Sequence, residues 1–126
     1  MDDKERYQRG ADARRKVLGN AWVDRSDANK TNFNADWQDF ITRCAWGEVW
    51  TRPGLDRRSR SLITLTALVA LNRQEELAMH VRAALRNGLS ADEIKEVLLQ
   101  SAIYCGVPAA NSAFAVAQRV IGEEAK

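Results

Sequence analysis

Apolar residues along this chain recur at intervals of three and four, and no long β-branched alternation interrupts them, so the chain is expected to be helical throughout. A first helix is predicted from about Lys4 to Leu18, stopped by Gly19 and Asn20. The polar stretch from Asp24 to Asn32 is expected to be a loop. Asn34 is expected to cap a second helix whose apolar stripe is Trp37, Phe40, Ile41 and Cys44. Thr51 to Gly54, with Pro53 inside it, should break that helix.

A third helix should start near Asp56 and carry Leu62, Ile63, Leu65, Ala67, Leu68, Val69, Ala70 and Leu71. A helix apolar on most sides must be buried all round, or partly buried by another subunit. Asn72, three residues before Glu75, suits a capping-box-like start to a fourth helix that runs to Asn87 and ends at Gly88. Ser90 and Glu93 form a cleaner capping box for a fifth helix, striped by Ile94, Val97, Leu98, Ser101 and Ala102. Gly106 should end it, and Pro108 fits the first turn of a sixth helix reaching about Glu123, with Ala113, Val116, Ala117 and Val120 inward. No linker or repeat divides the pattern, so a single domain over residues 1–126 is expected. Short stripes, many inward alanines and the apolar third helix together suggest a homo-oligomer.

Composition narrows the function classes. A 126-residue chain, 45% hydrophobic and 29% charged, can bury a globular core. A net charge of +2, with both signs interspersed, is too mild to argue for nucleic acid. The basic run Arg14-Arg15-Lys16 reads first as a solvated helix face. The charged first fifteen residues do not suit a signal peptide, and the apolar run Leu62–Leu71 is too short to span a bilayer. Asn29-Lys30-Thr31 matches a glycosylation sequon, which without a secretory signal is read as chance. Cys44 and Cys105 are too few and too far apart for a disulfide framework or a CxxC. A reduced, cytoplasmic protein is the expectation. One histidine and two distant cysteines do not make a closed zinc site, so no metal is expected.

His80 is the single histidine, the one side chain whose ordinary pKa lies near neutrality. Glu76 stands four residues earlier, on the same helical face, where a carboxylate could orient the ring and raise its basicity. The plainer alternative is a packed core histidine. Trp46 and Trp50, also four apart, flank Glu48, with Arg52 just beyond. They fit either a core or interface stripe, or a pocket wall that presents Glu48. Arg52, Arg57, Arg58 and Arg60 could clamp a carboxylate through planar, bidentate contacts. Tyr104 offers a phenol at a helix end. Residue spacing by itself reaches a helical domain with a His80–Glu76 pair.

The segments Trp46–Leu55, Arg60-Ser61-Leu62, Glu76–Ala84, Asn87–Ser90, Glu93-Ile94, Glu96-Val97 and Tyr104–Ala110 closely resemble the carboxymuconolactone decarboxylase family, over about Phe33 to Val120. The Trp-Gly-Glu-Val-Trp and Tyr-Cys-Gly-Val-Pro segments point to its decarboxylase branch. The wider superfamily includes alkylhydroperoxidase D, whose redox members carry a CxxC with a histidine four residues beyond. Placing that histidine on His80 puts Arg73 and Glu76 where those cysteines stand, and Ser61 where those members carry a glutamate. The resemblance therefore implies an all-α, alkylhydroperoxidase D-like domain of about six helices. It also implies a homo-oligomer, commonly a trimer or hexamer, that needs no cofactor. The implied reaction is decarboxylation of 4-carboxymuconolactone to 3-oxoadipate enol-lactone in protocatechuate breakdown by the β-ketoadipate route. On this reading His80 and Glu48 are catalytic, and Arg52, Arg60, Glu76, Trp46 and Tyr104 bind the carboxylated lactone. The alternatives are a non-catalytic oligomeric binding module and a peroxidase-related protein of the same fold lacking the CxxC.

Overall fold

Gly19 ends the first helix, α1 (Asp3–Leu18), as its sequence suggests: at φ 90° its amide donates to the Arg15 carbonyl at 2.9 Å. The computed structural model describes residues 1–125. Seven α-helices and one π-helix account for most of them, and no strand occurs among the described residues. The all-helical expectation holds, with two more elements than the six predicted helices.

The first extra element is α2 (Asn20–Ala28), which replaces much of the expected loop. Its polar residues have partners on α1. Arg14 donates to Ser26 at 2.8 Å and pairs with Asp27 at 3.5 Å; Arg15 pairs with Asp24 at 2.9 Å. Arg14 is buried, so the basic run is not simply a solvated face. Its charge and that of α2 neutralise each other, while Val23 anchors α2 in the interior. The second extra element is a π-helix, π1 (Thr42–Val49), which continues α3 (Ala35–Ile41). Asn34 sits at the N-cap of α3, but its side chain turns back to accept from the Thr31 amide at 2.7 Å and caps nothing. Trp37 and Phe40 do not point inward: they stack on each other at 5.9 Å and stay exposed.

These elements form one compact unit, Met1–Asp56, and its central feature is backbone against backbone. A Cβ on Gly10 of α1 would collide with the Thr42 carbonyl oxygen, and one on Gly47 of π1 would collide with the Arg6 carbonyl oxygen. Thr42 and Gly47 are five residues apart, the spacing that one π turn brings together. The π register is visible where the Trp50 amide donates to the Ala45 carbonyl at 3.0 Å.

The second compact unit begins at Arg57. It packs α4 (Arg57–Ala70), α5 (Gln74–Arg86), α6 (Ala91–Cys105) and α7 (Val107–Glu124) around Leu65, Val69, Leu77, Val81, Ile94, Leu98 and Val120. Only one stripe of α4 is buried, at Ser61, Leu65 and Val69; Ile63 and Leu71 are exposed. Asn72 is not the cap of α5. At φ 57° it is the left-handed residue that closes α4, with its amide on Val69 and the Arg73 amide on Leu68. Arg73 takes the N-cap position of α5 without a side-chain cap. Gly88 closes α5 in the same way, the Leu89 amide reaching Ala84. The Ser90–Glu93 capping box forms in both directions, and Pro108 lies in the first turn of α7. Buried Ser61 accepts from the Asn87 side-chain amide at 2.9 Å and ties α4 to the end of α5.

The glycine contact between α1 and π1 yields a stability prediction. Gly10→Ala should cost roughly 1–3 kcal/mol, because rigid backbone, not a flexible side chain, must move to admit the methyl group. Urea unfolding of wild type and variant measures this, and equal midpoints would mean that the two helices do not approach so closely.

Candidate active site

The residues singled out in the sequence fall into two groups, one in each compact unit. The group in the first unit is held by π1. Trp46 is buried and lies against Trp50, ring centroids 5.1 Å apart. Glu48, two residues on, keeps 44% of its side chain exposed and stands between two cations. Arg6 Nε donates to one carboxylate oxygen at 3.4 Å, and the Arg52 guanidinium approaches the other at 3.5 Å. Arg52, with its side chain 63% exposed, could reach a ligand in solvent. The two rings pack on each other, and the carboxylate beside them remains accessible.

A π-helix wraps its peptide groups less tightly than an α-helix and is uncommon, and such turns concentrate at functional sites. Here the π register lets Gly47 lie on α1 and leaves Glu48 beside Arg6. Sequence reasoning missed Arg6, which lies 42 positions from Glu48 in an evenly charged helix. A signal did exist in Gly10: glycine inside a helix costs about 1 kcal/mol relative to alanine, which suggests a backbone that something approaches closely.

In the second unit, His80 lies half-buried on α5, one turn after the exposed Glu76. Burial pushes the imidazole down to about 4 from its ordinary 6.5, while the Glu76 charge pulls the other way. The carboxylate does favour the protonated ring, as its spacing suggests, but desolvation outweighs it. His80 is therefore neutral near pH 7 in the free protein, with one ring nitrogen a donor and the other an acceptor. Arg60 is half-buried on α4. Tyr104 occupies the last turn of α6 and is 82% exposed. It lines a largely apolar cleft of about 500 Å³ between α4 and α6, with Leu62, Thr66, Val97 and Ser101 among its other walls. An ion pair between Arg58 and Glu93 stands at this cleft. His80, Arg60 and Glu76 are not among its walls.

Among the described residues, no group of three or more His, Cys, Asp or Glu side chains is arranged to hold a metal ion. Cys44 and Cys105 are free thiols, both half-buried. No described helix is long and apolar enough to cross a membrane.

Comparison with known proteins agrees with the sequence resemblance. Residues 35–119 match the sequence model of the carboxymuconolactone decarboxylase family. The chain is 50% identical over 120 residues to a 4-carboxymuconolactone decarboxylase of Acinetobacter baylyi, covering 95% of this chain and 90% of that one. It is 41% identical over 117 residues to a nitrosuccinic acid decarboxylase of Metarhizium robertsii, covering 93% and 82%. A 48-residue 4-carboxymuconolactone decarboxylase sequence of Pseudomonas putida matches along its whole length at 48% identity, covering 38% of this chain.

The buried imidazole sets a pH dependence. Because burial lowers the folded-state pKa, the unfolded chain binds that proton more tightly. The stability contributed by neutral His80 is present in full above about pH 6.5 and is lost as pH falls towards about 4, a change of up to about 3 kcal/mol. Urea unfolding at several pH values should show this decline, and His80→Gln should flatten it. An NMR titration of the free protein should place the imidazole midpoint near 4; a midpoint near 6.5 would contradict its burial.

Proposed function

The chain belongs to the carboxymuconolactone decarboxylase family, and from that premise we propose that it converts 4-carboxymuconolactone to 3-oxoadipate enol-lactone with loss of carbon dioxide. The observation that carries this reading is the 50% identity, across 95% of the chain, to a 4-carboxymuconolactone decarboxylase. The nitrosuccinic acid decarboxylase relative supports decarboxylation in general and makes nitrosuccinic acid the natural comparison substrate. A thiol-dependent peroxidase is disfavoured, since Arg73 and Glu76 occupy the positions where the redox relatives carry cysteines.

The chemistry asks for little beyond placement. The leaving carboxylate sits on a carbon conjugated through an alkene to the lactone carbonyl. When the carbon–carbon bond breaks, its electron pair spreads onto that carbonyl as a dienolate and carbon dioxide departs. A proton then adds to the carbon next to the carbonyl. The lactone is the electron sink and the step is redox-neutral. The protein has three tasks: to hold the remaining carboxylate, to stabilise the developing oxyanion, and to deliver the proton.

His80 is assigned to the last two. A neutral imidazole in a partly dry setting donates one N–H to an oxyanion at little reorganisation cost. Delivering a proton to carbon requires the imidazolium, and the negative charge of a dicarboxylate substrate adds to the pull of Glu76 in that direction. Arg52 or Arg60 is assigned to the remaining carboxylate. Glu48, already ionically paired, is assigned to the leaving carboxylate, where like-charge repulsion is relieved as carbon dioxide departs. Trp46, Tyr104 and Glu76 complete the substrate-binding set. The setting is cytoplasmic and the assembly a homo-oligomer, a trimer or hexamer, which would cover the exposed Ile63, Leu71, Ile103 and Val107.

Purified protein, assayed with a chelator present, should consume the lactone and release carbon dioxide; no turnover would overturn the assignment. His80→Ala should lower kcat by roughly 10²–10⁴-fold. Arg52→Ala or Arg60→Ala should raise KM, and two unchanged KM values would remove the clamp. Sedimentation at micromolar concentration should show an assembly, and a lone 126-residue species would remove the oligomer.

A further inference from the structure

Glu48 does not stand alone at the end of π1: its neighbourhood is built by α1. Arg6 lays its side-chain stem over Gly47, where a Cβ would lie 3.0 Å from Arg6 Cγ. That stem carries the guanidinium one residue further along, to Glu48, at 3.4 Å. The other side of the guanidinium is fixed by Asp3, with Nη1 to Oδ1 at 2.7 Å. Arg6 keeps only a quarter of its side chain exposed, although it lies on the polar N-terminal helix. Arg52 holds the second carboxylate oxygen from within its own segment.

We propose that Arg6 is a positioning residue for the decarboxylation: from α1 it holds one oxygen of Glu48, fixing the direction in which the carboxylate faces its substrate. This rests on the role assigned to Glu48 above and extends it to a helix that carries none of the residues proposed to touch the lactone. With no side chain on Gly47, the Arg6 stem lies directly over the π1 backbone on its way to Glu48. The stability contribution of such a pair is small, since partly exposed ion pairs are worth about 0–1 kcal/mol. Its contribution to rate is not bounded in that way, because a reacting group displaced by about 1 Å can cost 10²-fold.

The test uses the full chain and the lactone. Arg6→Met keeps the stem over Gly47 and removes the charge. It should lower kcat roughly 10–100-fold, leave KM within a small factor, and hardly change the melting temperature. Arg6→Lys should recover part of the loss. In a Glu48→Gln background, removing Arg6 should cost nothing further. Full kcat in Arg6→Met, alongside a large loss in Glu48→Gln, overturns the proposal and leaves the Glu48 assignment standing. A rise in KM alone also overturns it, because Arg6 would then bind substrate instead of placing Glu48. If Glu48→Gln turns over normally, the Glu48 assignment itself fails. If so, the proposal falls with it; if Glu48→Gln is impaired, the crystal structure of Arg6→Met adds a direct check, in which a carboxylate swung away from its present direction supports the proposal and an unmoved one overturns it.

Discussion

In the first unit, everything of chemical interest depends on two backbones touching. Gly10 and Gly47 let α1 and π1 approach until carbonyl oxygens occupy the space that side chains would otherwise need. Close approach of this kind is bought with glycine's entropy in two helices. It also favours the wider π turn, because Thr42 and Gly47 must both face Gly10. Trp46 is then packed on Trp50, and Glu48 is left at the surface between Arg6 and Arg52. The same contact therefore sets the helix type, the packing and the charge pattern of this segment.

The second unit turns on a different balance, between desolvation and charge at His80. The α5 helix is pinned at its C-terminal end by the Gly88 closure and by the Ser61–Asn87 hydrogen bond, and held on α7 by the Arg82–Glu123 pair at 2.7 Å. His80 lies in the middle of this rigid helix. Its neutral state in the free protein follows from burial that Glu76, exposed one turn away, only partly offsets. On the proposed function, the negative charge of the substrate acts on the same equilibrium as Glu76 and in the same direction.

Where the sequence was readable, the reason was local. The Ser90–Glu93 box, the stops at Gly19, Gly88 and Gly106, and Pro108 in the first turn of α7 are each written within four residues. The polar stretch from Asp24 reads as a loop, yet its acids pair with Arg14 and Arg15, about ten residues away on another helix. Asn72 looked like a cap for the helix after it and instead closes the one before it, two uses of asparagine that composition cannot separate. Trp37 and Phe40 have the spacing of a buried stripe, but spacing does not say whether a stripe meets a partner within the same chain.

His80, Glu48 and Arg52 were visible as candidates because chemistry-bearing residues are few in this chain and the motifs around them are distinctive. Helical class, the stops at Gly19, Gly88 and Gly106 and family membership were likewise determined by sequence alone, since each depends on neighbours three to five positions apart or on motifs read in order. Tertiary structure alone decided the rest. The π register, the lowered pKa of His80 and the Arg6–Glu48 contact all arise from groups remote in sequence and close in space. Desolvation and backbone contact act through distance in three dimensions, and the linear pattern does not carry that distance.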